Sequence, residues 1–341
     1  MFRELIEKLG QQRDLTVDEA AAAMDAIMDG RAQPAQIAGF LVALAMKGER
    51  PDEIVGLART MRARATKLSR SFAPVFDTCG TGGDGANTFN VSTVAALVLA
   101  ASGVRVAKHG NRSASSRCGS ADLLEALGVN VSAGPAAVER CLDEAGIAFF
   151  FAPVFHPSMK HAGPTRKELG IRTAFNLLGP LTNPAGASRQ LVGVPRPELT
   201  ELVARSLGQL GSERAWVVHG ADGLDEISTT GYTKVSECRD GRVNTFYLHP
   251  ADVGINKSAP GALAGGDAAE NAAIARAVLE GTPGAARDVV LINTAAALLV
   301  AGRAATLKEG IGIAAEGIDS GRAAVTLEKL VACSREGAVV A

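Results

Sequence analysis

A glycine-rich segment between a predicted strand and a predicted helix has the composition of a phosphate-binding loop. Residues 77–85 are DTCGTGGDG, and glycines let successive backbone N–H groups turn toward one anion. Gly80, Gly82 and Gly85 fit the G-x-G-x-x-G pattern, but the acidic residue expected about 20 positions later for a ribose hydroxyl is absent. The segment therefore predicts a phosphate site rather than a dinucleotide site. For the glycines alone, a tight turn without a ligand is the alternative.

Two polar segments after this loop favour the phosphate interpretation. Residues 90–93 (NVST) stand at the start of a predicted helix, where their side chains either cap the helix or face an anion or its metal. Residues 108–116 (KHGNRSASS) follow the second predicted strand, at the carboxyl end where α/β sheets bind ligands. No acidic residue lies between Asp84 and Asp122, whereas four basic residues do: Arg105, Lys108, Arg112 and Arg117. This part of the chain is locally positive, although a solvated loop is the alternative for residues 108–116.

Adjacent carboxylates after another predicted strand could hold a metal ion. Residues 216–218 lead into HGADGLDE, which ends in Asp225 and Glu226. A phosphate-rich ligand usually brings Mg²⁺, which prefers one or two carboxylates together with waters and phosphate oxygens. An exposed Asp-Gly turn is the alternative. The chain has no G-x-x-x-x-G-K-[ST], no H-E-x-x-H and no serine elbow, so the common ATPase, zinc protease and serine hydrolase functions lack support.

Composition and charge argue against several classes of protein. Of the 341 residues, 47% are hydrophobic and 21% are charged, which predicts a folded protein with a substantial core. The net charge of −1 argues against a broad nucleic-acid-binding surface. Five scattered cysteines without a C-x-x-C pair argue against a disulfide framework and a structural zinc site. A charged N-terminus and apolar stretches shorter than about 20 residues predict a cytoplasmic protein with no membrane segment.

The order of predicted elements indicates an α/β fold with a small N-terminal helical domain. Residues 1–70 predict helices only, with a capping box at residues 16–19 and prolines that begin helices at Pro34 and Pro51. Residues 71–341 predict a larger α/β domain with a central, mostly parallel sheet flanked by helices, one of them at residues 92–102. The predicted strands are residues 75–77, 104–107, 148–151, 190–194, 215–218 and 289–293.

The motifs, taken together and in this order, resemble those of the anthranilate phosphoribosyltransferase family, which is related to the nucleoside phosphorylases. The matching segments are residues 77–84 (DTCGTGGD), 90–93 (NVST), 108–116 (KHGNRSASS), 156–166 (HPSMKHAGPTR), 176–184 (NLLGPLTNP) and Asp225-Glu226. The resemblance implies Mg²⁺-dependent transfer of the 5-phosphoribosyl group from phosphoribosyl pyrophosphate to the amine of anthranilate. It also implies a homodimer, two Mg²⁺ ions, and a helical segment near residues 165–185 that returns to the N-terminal domain.

The resemblance further implies a role for individual residues. Phosphoribosyl pyrophosphate would bind to Gly80, Thr81, Gly82, Gly83, Asp84, Thr88, Asn90, Val91, Ser92, Thr93, Lys108, Asn111, Arg112, Ser113, Ser115, Ser116 and Ser120. Anthranilate would bind to Gly80, His109, Asn111 and Arg166, and the metal to Ser92, Asp225 and Glu226. No general base is expected, because the anthranilate amine is neutral at pH 7 and the leaving pyrophosphate carries the developing charge. A hydrogen bond that stabilises the loop is the alternative role for His109.

Two other functions are open at this stage. A pyrimidine nucleoside phosphorylase shares the implied architecture but uses inorganic phosphate and needs no pair of metal-binding carboxylates, so Asp225, Glu226 and the KHGNR segment argue against it. An inactive relative that binds nucleic acid would use the basic stretch at residues 47–70, for which a solvated helix face is the simpler explanation.

Overall fold

The computed structural model describes residues 1–113 and 117–336, and it begins with four helices. These are α1 (Phe2–Gly10), α2 (Val17–Met28), α3 (Pro34–Lys47) and α4 (Pro51–Arg64). The predicted capping box is present: Glu19 N donates to Thr16 Oγ1 at 3.2 Å, and Thr16 N donates to Glu19 Oε2 at 2.8 Å. Both hydrogen bonds satisfy backbone N–H groups at the start of α2, which fixes where that helix begins.

A seven-stranded sheet forms the centre of the larger part. Its strands are β1 (Phe76–Gly80), β2 (Val106–Gly110), β3 (Ile147–Phe151), β4 (Arg189–Gly193), β5 (Arg214–Gly220), β6 (Thr233–Arg239) and β7 (Arg242–Leu248). The order across the sheet is β3-β2-β1-β4-β5-β6-β7, in which β1 to β5 are parallel and β6 and β7 are antiparallel. The strand order reverses direction between β1 and β4, and open α/β sheets bind ligands at such a point, beyond the carboxyl ends of the strands.

The remaining helices cover the sheet on both faces. They are α5 (Val91–Ala101), α6 (Ser120–Ala126), α7 (Pro135–Glu144), α8 (Ala152–Phe155), α9 (Gly163–Leu169), α10 (Phe175–Leu181), α11 (Leu199–Gln209), α12 (Ala268–Leu279), α13 (Ala285–Ala301), α14 (Leu307–Asp319) and α15 (Arg322–Arg335). No helix in the described part of the chain is both long and apolar enough to span a bilayer.

Five of the predicted strands are confirmed within a few residues, and one is wrong. Residues 289–293 lie in the middle of α13 and not in a strand. Because this helix is buried on nearly all sides, its apolar run shows no period that would separate a helix from a buried strand. Strands β6 and β7 were not predicted.

Two apolar clusters lie on opposite faces of the sheet. One contains α5, α13 and the inward residues Leu191 and Trp216. The other contains the side chains of α1–α4 together with Val192 and Val217, which alternate with the first pair along β4 and β5. The N-terminal helices therefore lie on one face of the sheet, where α4 packs against α10 and α11.

The segment predicted to be helix-like at residues 159–181 also lies on the side of the N-terminal helices. It contains a short 3₁₀ helix, Pro157–His161, followed by α9 and α10. Arg62 of α4 donates to the carbonyl oxygens of Leu181 (2.6 Å) and Leu210 (3.0 Å), which joins α4 to the ends of α10 and α11. Side chains of this segment, among them Phe175 and Leu178, belong to the same apolar cluster as α1–α4.

Candidate active site

The glycine loop and the acidic pair meet where the strand order reverses. The loop leaves the carboxyl end of β1, and Gly193 ends the neighbouring strand β4 in register with Gly80. A Cβ atom on Gly193 would lie 1.5 Å from the carbonyl oxygen of Asp225, and one on Gly80 would lie 2.2 Å from Asp225 Oδ2. Neither position has room for a side chain. Glycine at both positions therefore lets the segment between β5 and β6 cross over β4 and place Asp225 against the loop.

The glycine loop offers a backbone donor to an anion. Gly82 N donates to Asp225 Oδ2 at 2.8 Å. Gly82, Gly83 and Gly85 have φ angles of 64°, 83° and 69°, a region that other residues rarely adopt. Gly82 and Gly85 have open space where a Cβ would stand, so the loop leaves its backbone accessible from that side.

Of the two carboxylates, Glu226 is buried and Asp225 is half-buried, and both lie close to other acidic groups. Burial, reinforced by the charge of Asp84, raises the pKa of Asp225 to about 6. Burial and the neighbouring Asp225 raise the pKa of Glu226 to about 8. Glu226 Oε1 accepts a hydrogen bond of 3.0 Å from Ser92 N, in the first turn of α5, where the helix dipole is positive. Ionising both carboxylates in this place is therefore unfavourable, and a bound cation would offset that cost.

The donor set fits Mg²⁺ held jointly with a phosphate ligand. Carboxylate oxygens are the hard ligands that Mg²⁺ prefers, and it commonly takes only one or two of them from the protein. Within residues 1–113 and 117–336 no group of three His, Cys, Asp or Glu side chains is arranged to hold a metal by itself. Asp225 and Glu226 would thus supply part of a coordination sphere that the substrate oxygens and water complete.

Lys108 lies beneath this acidic pair, inside the protein. Its side chain is 2% exposed, and Nζ donates to Thr78 O at 2.6 Å. Burial lowers the pKa of Lys108, whereas the nearby carboxylates, Asp77 first, favour its charged form. Asp77 is fully buried and accepts from Asn183 Nδ2 at 2.8 Å and from His109 N at 3.1 Å. The positive charge of Lys108 therefore stabilises the nearby acidic groups, Asp77, Asp225 and Glu226, by electrostatic attraction.

Two of the four residues assigned to the aromatic substrate, His109 and Arg166, lie in β2 and α9. His109 Nδ1 donates to Gly179 O at 3.0 Å, and its buried Nε2 has no partner among the described residues. Burial and neighbouring His156 lower the pKa of His109 to about 3, so its ring is neutral at pH 7. The Arg166 guanidinium lies over the Phe175 ring at 4.8 Å. Burial lowers the pKa of Arg166, and no acidic group in the described residues opposes this shift, so a substrate carboxylate would be its first charged partner.

Several other predicted residues have structural partners elsewhere in the fold. The amide of Asn90 donates to Cys118 O (3.0 Å) and accepts from Asn271 Nδ2 (3.1 Å), which ties the start of α5 to the loop before α6 and to α12. Arg112 forms ion pairs of 2.8 Å with Asp122 and Glu125, so its guanidinium is held at α6.

The last predicted residues differ in how closely the structure brings them to the site. Val91 and Thr93 are buried in the first turn of α5, and the hydroxyl of Thr93 has no partner among the described residues. Thr88 pairs with Ala264 in an isolated β-bridge, and Ser120 Oγ donates to Asn111 O at 3.4 Å. The buried hydroxyl of Thr81 has no partner among the described residues. The N–H of Ser113 donates to Asp122. Ser115 and Ser116 lie outside the described residues.

Arg172 is a neighbour of the glycine loop that the sequence did not indicate. Its Nη2 donates to Thr81 O at 3.3 Å, and a Cβ atom on Gly83 would lie 1.6 Å from its Nη1. The charges of Asp225 and Asp84 oppose the lowering of its pKa by burial. No motif marks Arg172, because only the packing of the segment before α10 against the loop brings it there.

Comparison with known proteins agrees with this geometry. Residues 3–65 match the model of a glycosyl transferase family helical bundle domain, and residues 73–324 match that of a glycosyl transferase family a/b domain. The chain is 60% identical over 332 residues to anthranilate phosphoribosyltransferase of Moorella thermoacetica, which covers 97% of this chain and 98% of that protein. This chain belongs to the anthranilate phosphoribosyltransferase family. The corresponding enzyme of Symbiobacterium thermophilum is 55% identical and covers 96% of both chains.

Solved structures of anthranilate phosphoribosyltransferases share the whole architecture. The Thermus thermophilus enzyme superimposes with a TM-score of 0.91 at 47% identity, covering 97% of this chain and 99% of that one. The Saccharomyces cerevisiae enzyme, in complex with PRPP and Mg, gives a TM-score of 0.88 at 29% identity and covers 98% and 97% of the two chains. Both the helical domain and the α/β domain are therefore those of the family.

Proposed function

We propose that this chain transfers the 5-phosphoribosyl group from phosphoribosyl pyrophosphate to the amine of anthranilate. The products are N-(5-phosphoribosyl)anthranilate and pyrophosphate, and the reaction belongs to tryptophan biosynthesis. The observation that carries the proposal is the meeting of the glycine loop with Asp225 and Glu226 at the point where the strand order reverses. Full-length similarity to enzymes of that name supports it.

The phosphate side of the proposed site is built on the backbone of the glycine loop. Gly82 N–H, which binds a carboxylate oxygen in this structure, would bind a phosphate oxygen instead. The start of α5 adds its positive dipole and the Ser92 hydroxyl, and Lys108 adds buried positive charge. We assign the other residues implied by the resemblance, Arg112 and Ser120 included, to the same ligand.

Asp225 and Glu226, with Ser92, would hold Mg²⁺, and we propose two ions. When bound, Mg²⁺ supplies positive charge that stabilises the leaving pyrophosphate. The chain's own contribution is to place Asp225 and Glu226 at one edge of the loop, with Glu226 held there by Ser92 N. The yeast enzyme in complex with PRPP and Mg, and a variant of it with Mg bound, support the choice of ion.

Anthranilate would lie between Arg166 and His109. The guanidinium of Arg166 can form two parallel hydrogen bonds to the carboxylate, and the neutral His109 and Asn111 orient the ring. No side chain is needed to remove a proton before attack, because the aromatic amine is already neutral at pH 7. Catalysis then comes from holding the amine in line with the leaving pyrophosphate and from stabilising the charge on that group.

A steady-state assay with both substrates, with and without Mg²⁺, tests the proposal. We expect formation of N-(5-phosphoribosyl)anthranilate that requires Mg²⁺ and pyrophosphate release in equal amount. Phosphorolysis of a pyrimidine nucleoside by the same preparation, without any product from anthranilate, would contradict it and favour the phosphorylase function.

Further features of the protein are proposed on the same basis. We propose a cytoplasmic homodimer that binds neither nucleic acid nor membrane, with the boundary between its domains near residue 70. Light scattering at several protein concentrations tests the dimer, and salt-dependent DNA or RNA binding by residues 47–70 would contradict the assignment of small-molecule partners.

A further inference from the structure

A buried asparagine on α13 makes two of its three side-chain hydrogen bonds to the residue that follows the acidic pair. Asn293 is fully buried in a helix whose other inward residues are almost all apolar. Its Oδ1 accepts from Ile227 N at 3.0 Å, and its Nδ2 donates to Ile227 O at 2.9 Å and to Val289 O at 2.8 Å. A single side chain thus satisfies both backbone groups of Ile227.

Ile227 directly follows Asp225 and Glu226 in the chain. Consecutive Cα atoms are about 3.8 Å apart, so a shift of Ile227 also moves the backbone that carries Glu226. Ile227 lies in the segment between β5 and β6, outside both strands, where side-chain hydrogen bonds add to backbone ones such as Ala221 N to Tyr232 O at 2.9 Å. Just beyond Ile227, Ser228 Oγ donates to Asp222 Oδ2 at 2.6 Å.

The energetic cost of this arrangement indicates what it does. A buried amide is unfavourable unless its polar atoms are all paired, and an apolar residue at position 293 would suit α13 itself. It would, however, leave the N–H and C=O of Ile227 buried without partners, since no other hydrogen bond of that N–H is present in the described residues. The asparagine therefore stabilises the segment that carries the carboxylates more than it stabilises its own helix.

We propose that Asn293 is a positioning residue for the metal site, fixing Asp225 and Glu226 by clamping the backbone of Ile227. The inference rests on the proposed metal role of these carboxylates. Residues that orient metal ligands without touching the metal typically contribute about 10- to 100-fold to metal affinity or activity. Loss of the clamp should therefore weaken Mg²⁺ binding, whereas the anthranilate side, which is built on β2 and α9, keeps its geometry.

The test compares Asn293→Ala with Leu298→Ala, a control on the same helix that removes a fully buried side chain with no polar role. We expect Asn293→Ala to raise the half-saturating Mg²⁺ concentration about 10- to 100-fold, with the anthranilate KM unchanged. A readout independent of activity is Mn²⁺ binding in the presence of pyrophosphate, followed by electron paramagnetic resonance. A second is hydrogen exchange of residues 221–232 in the metal-free protein, which should be faster in Asn293→Ala only.

Three outcomes are distinguishable. If Asn293→Ala and Leu298→Ala lower Tm but leave Mn²⁺ affinity and loop exchange unchanged, Asn293 is a core residue and the inference is wrong. If Asp225→Asn also leaves the Mg²⁺ requirement unchanged, the metal site of the proposed function has failed, and the inference fails with it. Should Asn293→Ala not fold, Asn293→Asp keeps the side-chain size and the acceptor for Ile227 N, and must still raise the Mg²⁺ requirement.

Discussion

Replacing Arg166 with alanine should weaken anthranilate binding selectively. In this structure the guanidinium is partly buried over Phe175 and no carboxylate of the described residues pairs with it. The cost of removing water from the cation is therefore already present before substrate binds. A charged hydrogen-bonded pair contributes about 1.5–3 kcal/mol, which at about 1.4 kcal/mol per decade is roughly a 10- to 150-fold rise in the anthranilate KM.

The same structural feature predicts that Arg166→Ala does not destabilise the fold. Because the side chain forms no ion pair among the described residues, its removal loses packing on Phe175 and relieves an unpaired charge, two effects of opposite sign. Arg166→Lys should restore only part of the affinity, since a lysine keeps the charge but cannot form two parallel hydrogen bonds to a carboxylate.

Initial rates at varied anthranilate and saturating phosphoribosyl pyrophosphate measure the effect, and Lys167→Ala is the matched control. Lys167 is the exposed neighbour on α9, so its removal takes away the same charge at nearly the same place. An anthranilate KM that is unchanged in Arg166→Ala, or raised equally by Lys167→Ala, would refute the reasoning. Arg166 would then be a structural arginine, and the phosphate half of the site would stand alone.

Three other expectations follow from the same geometry. Asp225→Asn or Glu226→Gln should raise the half-saturating Mg²⁺ concentration by at least the about 10- to 100-fold that is typical for residues that only orient metal ligands, while circular dichroism shows that the fold is retained; an unshifted titration contradicts the metal assignment. Gly193→Ala should lower the free energy of unfolding in urea by about 1–3 kcal/mol, because its Cβ would overlap the Asp225 carbonyl. An unchanged free energy of unfolding would mean that the segment between β5 and β6 can move away from β4 without cost. Burial lowers the pKa of His156 to about 4. As the pH falls, His156 is therefore protonated in the unfolded chain before it is protonated in the folded one, and the free energy of unfolding decreases between about pH 6.5 and pH 4. Relative to wild type, His156→Gln should reduce that slope by about 1.4 kcal/mol per pH unit, and parallel curves would contradict a neutral buried His156.

The order of elements around the glycine loop could be predicted because its signals are local. A short apolar run, a glycine cluster and a helix with polar first residues lie within residues 75–102, and each element is recognised by its own neighbours. β1 and α5 fall within a few residues of their predicted places.

The antiparallel strands β6 and β7 were missed although their turn carries a signal. Asp240 and Gly241 have φ angles of 50° and 75°, the conformation that an Asp-Gly hairpin turn requires. The flanking strands mix charged and small residues because they extend the sheet toward solvent, so hydrophobic alternation is weak there. Turn chemistry, rather than periodicity, would have found them.

Contacts between distant segments could not be predicted from patterns within a segment. Nothing near Arg172 or Asn293 in the sequence indicates a loop more than 60 residues away. Even the predicted Arg112 turned out to pair with Asp122 and Glu125, because α6 folds back beside it. Such roles depend on which helices and loops the fold brings together.

The apolar cluster shared by the N-terminal helices and the sheet has a consequence for protein engineering. Met24 and Phe40 of the helices lie in the same cluster as Val192 and Val217, which project from the sheet itself. A chimaera that takes residues 3–65 from another protein would have to match the helices that this part contacts directly, which are α10 and α11 beside α4 and α9 beside α3. The helical bundle is recognised as a unit of its own in sequence comparison, but exchanging it would also require redesign of the surfaces of α9, α10 and α11 that it packs against.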